Sequence, residues 1–307
     1  MAILVTGATG YLGAEVVRAL LRRAERRVFV LVRSEEKGRR LLEWCKADLD
    51  RLTPVNGDLG GLKRLPPDTE TIIHAAAVRG DRNPDEATRA NIDGTNHLLD
   101  LAVREGVRRW IQASTQSVYG GEGAPWSEEA EPKPKGAYAL SKYEGERSVA
   151  ARKNKLDYVI LRIARLCGVS LFARGNELFP KWVGQACQGM ELTLFGEGRQ
   201  RMDFIHVADV ARCIETFVDL HPEGWNETYN VGSGRSVSLN EVVEALTSLL
   251  KERGLPGARV AYREQEGGDS PSHLELDTTR LRTRTGWNPR HGIRDVLREY
   301  IDGFRIR

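Results

Sequence analysis

The chain has 307 residues, of which 40% are hydrophobic and 29% charged, and a formal net charge of +3. This length allows one large or two medium domains, and the interspersed basic and acidic residues disfavour nucleic-acid binding. No apolar run approaches the length of a membrane span, and the first predicted strand leaves no room for a signal peptide. The four cysteines form no C-x-x-C pair, so we expect a cytoplasmic protein that binds no metal. From the charge pattern and the absence of a long apolar run, we also expect no binding to nucleic acid or membrane.

The first predicted strand runs directly into a glycine-rich turn. Residues 2–5 are all apolar, which is typical of a strand buried on both faces of a parallel sheet. Gly7 permits a tight turn, Gly10 lets backbone amides approach a pyrophosphate, and Gly13 lets the following helix lie close to the sheet. The helix N-terminus adds hydrogen-bond donors and a positive dipole. Because strand, turn and helix occur in this order, the pattern favours a dinucleotide site over a turn that binds nothing.

The residue at the end of the second predicted strand, 27–34, indicates which dinucleotide is bound. An acidic residue there binds the ribose 2′-hydroxyl of NAD, whereas an arginine accommodates the 2′-phosphate of NADP. This chain has Arg33, followed by Lys37 and two arginines at 39–40, with glutamates at 35–36 beside it. We therefore predict NADP(H) and leave NAD open. A surface charge at the strand end is the alternative interpretation of Arg33.

Strands and helices continue to alternate through residue 162. The later strands are predicted near 52–55, 71–77, 110–115 and 158–162, and the helices among them at 84–105 and 137–153. His74 lies inside the fourth strand, and we interpret it as a hydrogen-bonded core histidine rather than a catalyst. The alternation predicts an α/β fold with a doubly wound parallel sheet.

The second half of the chain has a less regular pattern. The loop 120–136 is rich in Gly, Pro and Glu and is long enough to be a lid or binding loop. Beyond it we predict helices at 179–189, 208–220, 238–253 and 293–304, a short strand at 228–231, and no long strand in the tail. Residues 204–207 form a short apolar stretch ahead of the helix at 208–220. We assign residues 1–165 to a dinucleotide-binding domain, to which about 203–235 return. Residues 166–307 form a smaller C-terminal α/β domain for the substrate.

A tyrosine and a lysine supply the candidate chemistry. Tyr138 and Lys142 are four residues apart in a predicted helix and therefore share one face. A phenol ordinarily has a pKa of about 10, and a nearby ammonium lowers that pKa toward neutrality. Tyr138 is then able to exchange a proton with a secondary alcohol or carbonyl while hydride moves to or from a nicotinamide. Thr115, at the end of the fifth strand, is placed to donate to the same oxygen. A solvated Tyr–Lys pair is the alternative, and the upstream glycine turn favours catalysis.

Nine short motifs carry a family resemblance. They occupy residues 6–13, 57–59, 74–77, 91–95, 114–120, 138–142, 203–209, 229–232 and 286–289. On these motifs, which extend over nearly the whole chain, the sequence resembles the extended short-chain dehydrogenase/reductases, the NAD-dependent epimerase/dehydratase family. The resemblance implies a Rossmann domain and an NAD(P)-dependent oxidoreductase.

The resemblance also implies roles for individual residues. Thr115, Tyr138 and Lys142 correspond to the catalytic group, and Lys142 also binds the nicotinamide ribose. Asp58 and Leu59 correspond to residues against the adenine. The other cofactor-binding positions are Gly7, Thr9, Gly10, Tyr11, Leu12, Gly13, Arg33, Ala75, Ala76 and Ala77. Family members are often homodimers paired through the helices at 85–105 and 137–153, and we expect the same here.

The substrate positions depart from the family pattern. Sugar-nucleotide 4,6-dehydratases have an Asp–Glu pair after the catalytic Thr, where this chain has Gln116 and Ser117, so we expect no dehydration. Epimerases have an Asn after the sixth strand and two arginines that clamp a diphosphate, where this chain has Arg165, Met202 and Glu266. Some phosphate contacts are then expected from arginines at new positions. The candidate substrate residues are Arg79, Thr115, Gln116, Arg165, Asn176 and Arg201.

Three functions remain open from the sequence. The first is an NAD(P)-dependent reductase or dehydrogenase acting on a small-molecule carbonyl or secondary alcohol. The second is a nucleotide-sugar 4-epimerase or keto-reductase. The third, and the least favoured, is a non-catalytic NADP-sensing regulator, because such proteins typically lack the Tyr–Lys pair.

Overall fold

The computed structural model describes residues 1–78, 83–121, 123–172, 178–220, 222–264 and 273–305. Within them, seven strands form one parallel sheet. Their bounds are β1 (Ala2–Thr6), β2 (Arg27–Val32), β3 (Leu52–Asn56), β4 (Thr69–His74), β5 (Arg109–Thr115), β6 (Asp157–Ile163) and β10 (Glu227–Val231). The strand order is β10-β6-β5-β4-β1-β2-β3, with β1 between β4 and β2. This is the doubly wound parallel sheet that the sequence predicts.

Helices cover both faces of this sheet. They are α1 (Tyr11–Leu20), α2 (Glu35–Cys45), α3 (Pro84–Arg104), α4 (Ala137–Ala150) and α6 (Val207–Asp219). α1 packs against α6, and α3 packs against α4. Alternate strand residues supply the two cores, since Ile3 and Val5 pack with α1 and α6, while Leu4 packs with α3 and α4. Burial on both faces explains why the strands are continuous apolar runs.

The remaining elements make a smaller α/β part. The strands are β7 (Arg165–Cys167), β8 (Glu191–Phe195), β9 (Arg201–His206), β11 (Ser236–Ser238), β12 (Arg259–Arg263) and β13 (His273–Leu274). The helices are α5 (Leu178–Cys187), α7 (Leu239–Glu252), α8 (Thr279–Thr285) and α9 (Ile293–Arg305). β7, β11 and β13 pair with β9, and β12 pairs with β8. α9 packs on α5 and α7 over a separate apolar core.

Several of these elements differ from the sequence prediction. α2 is not predicted, because only Gly38 and Leu41 of its residues are buried and no apolar stripe marks it. The apolar stretch at 204–207 covers the end of β9, a strand that begins at Arg201, and Val207 already belongs to α6. β8 and β12 are also not predicted. Among the described residues, the structure contains no helix that is long and apolar enough to cross a membrane.

Candidate active site

The glycine turn after β1 is held against the end of β4. Gly7 has a φ of +72°, which favours glycine, and a Cβ added there would lie 2.6 Å from the amide nitrogen of Ala76. A Cβ on Gly13 would lie 2.1 Å from the carbonyl oxygen of Gly7. The Gly10 amide donates to that same oxygen at 2.9 Å. Only glycine therefore fits at Gly7 and Gly13, and the turn presents backbone rather than side chains.

The N-terminus of α1 is suited to an anion. Gly10 is the N-cap, and no side chain of the described residues caps the helix. The backbone amides of the first turn lie at the positive end of the helix dipole and are therefore available to bind a phosphate. Tyr11 donates its hydroxyl to the Gly168 carbonyl at 2.5 Å, which ties the turn to the segment after β7. Thr9 and Leu12, the remaining predicted members of this turn, are both half-buried. The turn has no room for a Cβ at Gly7 or Gly13 and lies beside an uncapped helix N-terminus. This arrangement fits the pyrophosphate of a dinucleotide.

The ends of β2 and β3 carry the residues predicted near the adenosine. Arg33 follows β2 and is exposed, and the Ser34 hydroxyl next to it caps α2 by accepting from the Lys37 amide. Asp58 accepts a hydrogen bond from the Gly61 amide at 2.7 Å, which shapes the loop after β3. Leu59 packs closely on α3, because a Cβ on Gly94 would lie 3.1 Å from its side chain. These residues follow neighbouring strands at the carboxyl edge of the sheet, where ligands of open α/β sheets bind.

The segment after β4 runs along the same edge. Ala75 and Ala76 are half-buried, and Ala77 is exposed. The Thr6 hydroxyl accepts from the Ala76 amide at 3.4 Å. Asn91 of α3 holds the end of the segment, since its side chain accepts from the Val78 amide at 2.7 Å and donates to the Val78 carbonyl at 2.8 Å. The small side chains leave the backbone open to a bound cofactor.

His74 is a core histidine, as predicted. Its ring nitrogens hydrogen-bond to the hydroxyls of Thr6 at 2.7 Å and Thr95 at 2.9 Å. Burial, and in second place the charge of Lys142, lower the pKa of His74 to about 3. The ring is therefore neutral at neutral pH, and its two hydrogen bonds order the end of β4, which directly precedes residues 75–77.

The tyrosine and lysine lie in the first turns of α4. Tyr138 is half-buried, whereas Lys142 is buried with only 5% of its surface exposed. Ser141, between them, accepts from the Asn91 amide group at 3.1 Å, which fixes α4 against α3. Burial lowers the pKa of Lys142 to about 8, and the charge of Glu146 opposes that shift. The predicted pair is thus part of the packed helix rather than a solvated one.

Thr115 ends β5, and α4 packs on this strand and on the 3-10 turn Gln116–Tyr119 that follows. The Thr115 hydroxyl donates to the Ser117 hydroxyl at 3.2 Å and accepts from the Ser117 amide. Gln116 is 9% exposed, and its Oε1 has no hydrogen-bond partner among the described residues. A buried amide oxygen without a partner is costly, and a bound substrate would satisfy it.

The predicted substrate arginines have different surroundings. Arg165 begins β7, is exposed, and donates to the Met202 sulfur at 3.5 Å. Arg201 in β9 donates to the Ser236 carbonyl at 2.7 Å and pairs with Glu241 at 3.2 Å. Arg79 and Asn176 lie outside the described residues, as does Glu266. No group of three potential metal ligands occurs in the described part of the chain.

The sequence interpretation missed a buried polar cluster behind the pair. Glu146 accepts from Ser114 and from Arg162, and Arg162 also donates to the Tyr119 hydroxyl at 3.0 Å. Tyr119 in turn donates to Asn230 at 2.8 Å. The sequence does contain a signal for this cluster, because Tyr138, Lys142 and Glu146 are each one helical turn apart and therefore share one face of α4.

Together, the glycine turn, the parallel sheet order and the Tyr–Lys pair define a Rossmann-type dinucleotide-dependent oxidoreductase. The family model described as "NAD dependent epimerase/dehydratase family" matches residues 3–232. The chain belongs to this family and is an enzyme of the extended short-chain dehydrogenase/reductase type, which confirms the resemblance inferred from the motifs.

Known relatives span the whole chain. The chain is 32% identical to a dTDP-glucose 4,6-dehydratase of Streptomyces niveus, over 99% of this chain and 93% of that protein. Among solved structures, a dTDP-glucose 4,6-dehydratase of Streptomyces venezuelae with NAD bound has a TM-score of 0.82 at 28% identity, covering 100% and 97% of the two chains. A UDP-glucose 4-epimerase of Thermotoga maritima, solved with UDP-glucose, has a TM-score of 0.81 at 25% identity, covering 100% and 99%.

Proposed function

We propose that the protein exchanges hydride between NAD(P) and a secondary alcohol of a nucleoside-diphosphate sugar, with 4-epimerisation as the net reaction. The observation that carries this proposal is the buried Lys142 one turn after Tyr138, in a helix packed on the strand that ends at Thr115. The end-to-end similarity to nucleotide-sugar enzymes, an epimerase among them, supports the substrate class.

Each catalytic residue has a distinct role in this proposal. A bound NAD(P) would supply the hydride chemistry, and epimerisation would require the hydride to return to the opposite face of the substrate carbon. Tyr138 takes the proton of the substrate hydroxyl and later gives it back, while the Lys142 ammonium stabilises the phenolate. Thr115 turns its hydroxyl from Ser117 to the substrate oxygen and stabilises the charge that develops there. Because the proton is returned, the reaction needs no further acid or base.

Dehydration is not part of the proposed reaction. Water elimination needs groups that exchange protons with the departing hydroxyl and the adjacent carbon. The amide of Gln116 and the hydroxyl of Ser117 do not titrate near neutral pH, although they follow Thr115 directly. We therefore propose that the chain performs the redox chemistry of its dehydratase relatives and keeps the oxygen in its product.

The substrate diphosphate is assigned to arginines in the C-terminal part and at its boundary with the dinucleotide-binding domain. Residues 166–307 would bind the nucleotide, with the segment 203–235 returning to the dinucleotide-binding residues 1–165. Arg165 and Arg201 are the described candidates for the phosphate contacts, and Arg79 and Asn176 are further candidates. Arg165 supports this assignment, because it lies two residues beyond Ile163, the register partner of Thr115.

Arg33 favours a second candidate, a nucleotide-sugar keto-reductase that uses NADPH. Its exposed guanidinium after β2 is placed to pair with a 2′-phosphate. The Ser34 hydroxyl and Lys37 stand beside it at the start of α2. An enzyme that prefers NADP(H) would carry out net reduction with exchangeable cofactor, whereas an epimerase retains its NAD. For this second candidate we propose NADP(H) as the preferred dinucleotide.

The assembly and location are proposed on similar grounds. We propose a homodimer paired through α3 and α4, because Leu140 on α4 is a large apolar side chain that is 44% exposed. A cytoplasmic location is supported by the spacing of the four cysteines, which form no C-x-x-C pair.

The experiment is to release small molecules from freshly purified protein for mass spectrometry, and then to incubate the protein with UDP-glucose and dTDP-glucose. A retained dinucleotide and a C4 epimer detected by NMR would support the epimerase. Conversion of a 4-keto sugar only with added NADPH would favour the keto-reductase. A 4-keto-6-deoxy product would contradict the argument from Gln116. No conversion by protein that binds dinucleotide would favour the non-catalytic regulator instead.

A further inference from the structure

A carboxylate is buried behind the catalytic helix where three elements meet. Glu146 of α4 is 4% exposed. The Ser114 hydroxyl, at the end of β5, donates to its Oε1. Arg162 of β6 donates from Nε and Nη2 to its Oε2, at 3.1 and 2.8 Å. Glu146 is therefore held by two residues outside its own helix, one of which immediately precedes Thr115.

The buried ion pair has no evident value for stability alone. Burial of two charges costs several kcal/mol per ion before their attraction repays it, and apolar pairs often stabilise a fold equally well. Here every partner is itself engaged, because Arg162 also bonds Tyr119 and Tyr119 bonds Asn230. The hydrogen bonds and charge of Glu146 raise the pKa of Arg162 well above its ordinary value, against the effect of burial. Because the buried charge of Glu146 is costly, we expect it to act on a neighbouring group.

The group that the charge acts on is Lys142, one turn earlier in α4. Burial works against the ammonium, and Glu146 is the charged group that raises the pKa of Lys142 against this effect. From β4, His74 faces Lys142 but is neutral and adds no charge. From β6, the Arg162 guanidinium is paired with the Glu146 carboxylate at 2.8 Å. On α4 itself, Tyr138 lies one turn away on the other side of Lys142.

We propose that Glu146 is a positioning residue that keeps Lys142 in its ammonium form beside Tyr138, and that Ser114 and Arg162 hold the Glu146 carboxylate in place for this purpose. This role rests on the proposed function, because it takes Tyr138 and Lys142 as the proton-transfer pair. Glu146 does not contact the substrate. It acts through Lys142, and its removal changes the pH range over which Lys142 is charged.

The test measures the titration of Lys142 directly. In protein labelled with 13C-lysine, the Lys142 signal is assigned by its loss in Lys142→Arg, and its pKa is followed by NMR without substrate. Glu146→Gln keeps the size of the side chain but removes the charge and replaces one acceptor oxygen with an amide donor, so we expect the Lys142 pKa to fall by about one unit or more. The alkaline limb of the pH–rate profile should move to lower pH by the same amount, since activity requires the ammonium.

Three further variants separate charge from structure. Glu146→Asp keeps the charge with a shorter side chain, and its Lys142 pKa should stay nearer the wild-type value than that of Glu146→Gln. Ser114→Ala retains both charges but removes one donor to the carboxylate, so a smaller shift in the same direction is expected even where Glu146→Gln folds poorly. Glu144→Gln, on the outer side of α4 and paired with Arg147, is the matched control and should leave Lys142 unchanged.

A Lys142 pKa that is the same in wild type, Glu146→Gln and Ser114→Ala would overturn the role of Glu146. So would Glu146→Asp shifting Lys142 more than Glu146→Gln, because that order indicates a purely structural residue. Failure of the proposed function has another signature, namely wild-type protein that converts no nucleotide sugar. The two failures are distinguishable, because one is seen in the NMR titration and the other in the product assay.

Discussion

The protonation state of individual buried side chains determines how the stability of this protein depends on pH. His74 is neutral in the fold, whereas in an unfolded chain its pKa is 6.5. Below that value the unfolded chain binds a proton that the folded protein does not, so stability falls with falling pH down to the folded pKa of about 3. Above pH 6.5 both states are neutral and His74 contributes no pH dependence.

The lowered pKa of His74 predicts how the free energy of unfolding changes with pH. Between neutral pH and about pH 5 the wild type should lose about 2 kcal/mol of unfolding free energy to His74, from ~1.4 kcal/mol per pH unit below 6.5. Urea unfolding of wild type and His74→Gln at both pH values measures this difference. The variant starts from lower stability but should show the smaller pH dependence. Equal pH dependence in the two proteins would show that His74 is not buried neutral.

Among the residues, the sequence identified those whose type or spacing is itself the signal. Gly7 and Gly13 were predicted because only glycine fits a turn between a strand and a helix, and Tyr138 with Lys142 because they share one face of a helix. Glu146 was missed because a glutamate in a charged helix resembles a solvated one. Its burial depends on Ser114 and Arg162, which are 32 and 16 residues away. No local pattern reports such a contact.

At the scale of elements, the turn that joins β1 to α1 is the most tightly constrained junction. A methyl group on Gly13 meets the Gly7 backbone at 2.1 Å, so it must push α1 away from the turn. We expect Gly13→Ala to destabilise the protein by about 1–3 kcal/mol, the usual cost of overpacking, and to weaken dinucleotide binding at least tenfold. Urea unfolding and equilibrium binding of NADPH measure the two effects.

Gly303 provides the matched control for this prediction. It lies in α9, and no atom lies within 4 Å of a Cβ added there. Gly303→Ala should therefore leave dinucleotide binding unchanged and stabilise the helix by up to ~1 kcal/mol. If Gly13→Ala bound dinucleotide as tightly as Gly303→Ala, the close approach of helix and turn would not be needed for binding.

The sequence predicts elements well where their signal is local. The buried strands of the main sheet are continuous apolar runs, and the predicted helix at 238–253 begins with a capping box, in which Ser238 and Glu241 bond each other's backbone amides. The strands of the C-terminal part lack such a signal. β8 alternates between exposed and buried residues, and its parallel partner β12 lies 68 residues later, with Arg259 opposite Glu191. Pairing at that distance depends on the fold as a whole.

At the scale of the whole molecule, the outer surface of α3 and α4 is the proposed dimer contact. Leu140→Asp places a charge in the middle of that contact and should convert the dimer into a monomer, as measured by size-exclusion chromatography with light scattering. Phe195→Asp is the control, because Phe195 is also an exposed large apolar residue but lies on β8 in the C-terminal part. A monomeric wild type, or a Leu140→Asp variant that remains dimeric, would contradict the proposed contact.

The whole account depends on Tyr138 as the group that moves the substrate proton. The most direct measurement is the turnover of Tyr138→Phe with the nucleotide sugar that the wild type converts, together with its affinity for the dinucleotide. The account predicts a loss of roughly 10²–10⁴-fold in kcat with dinucleotide affinity close to that of the wild type. A variant that turns over at the wild-type rate would show that the proton moves through another residue.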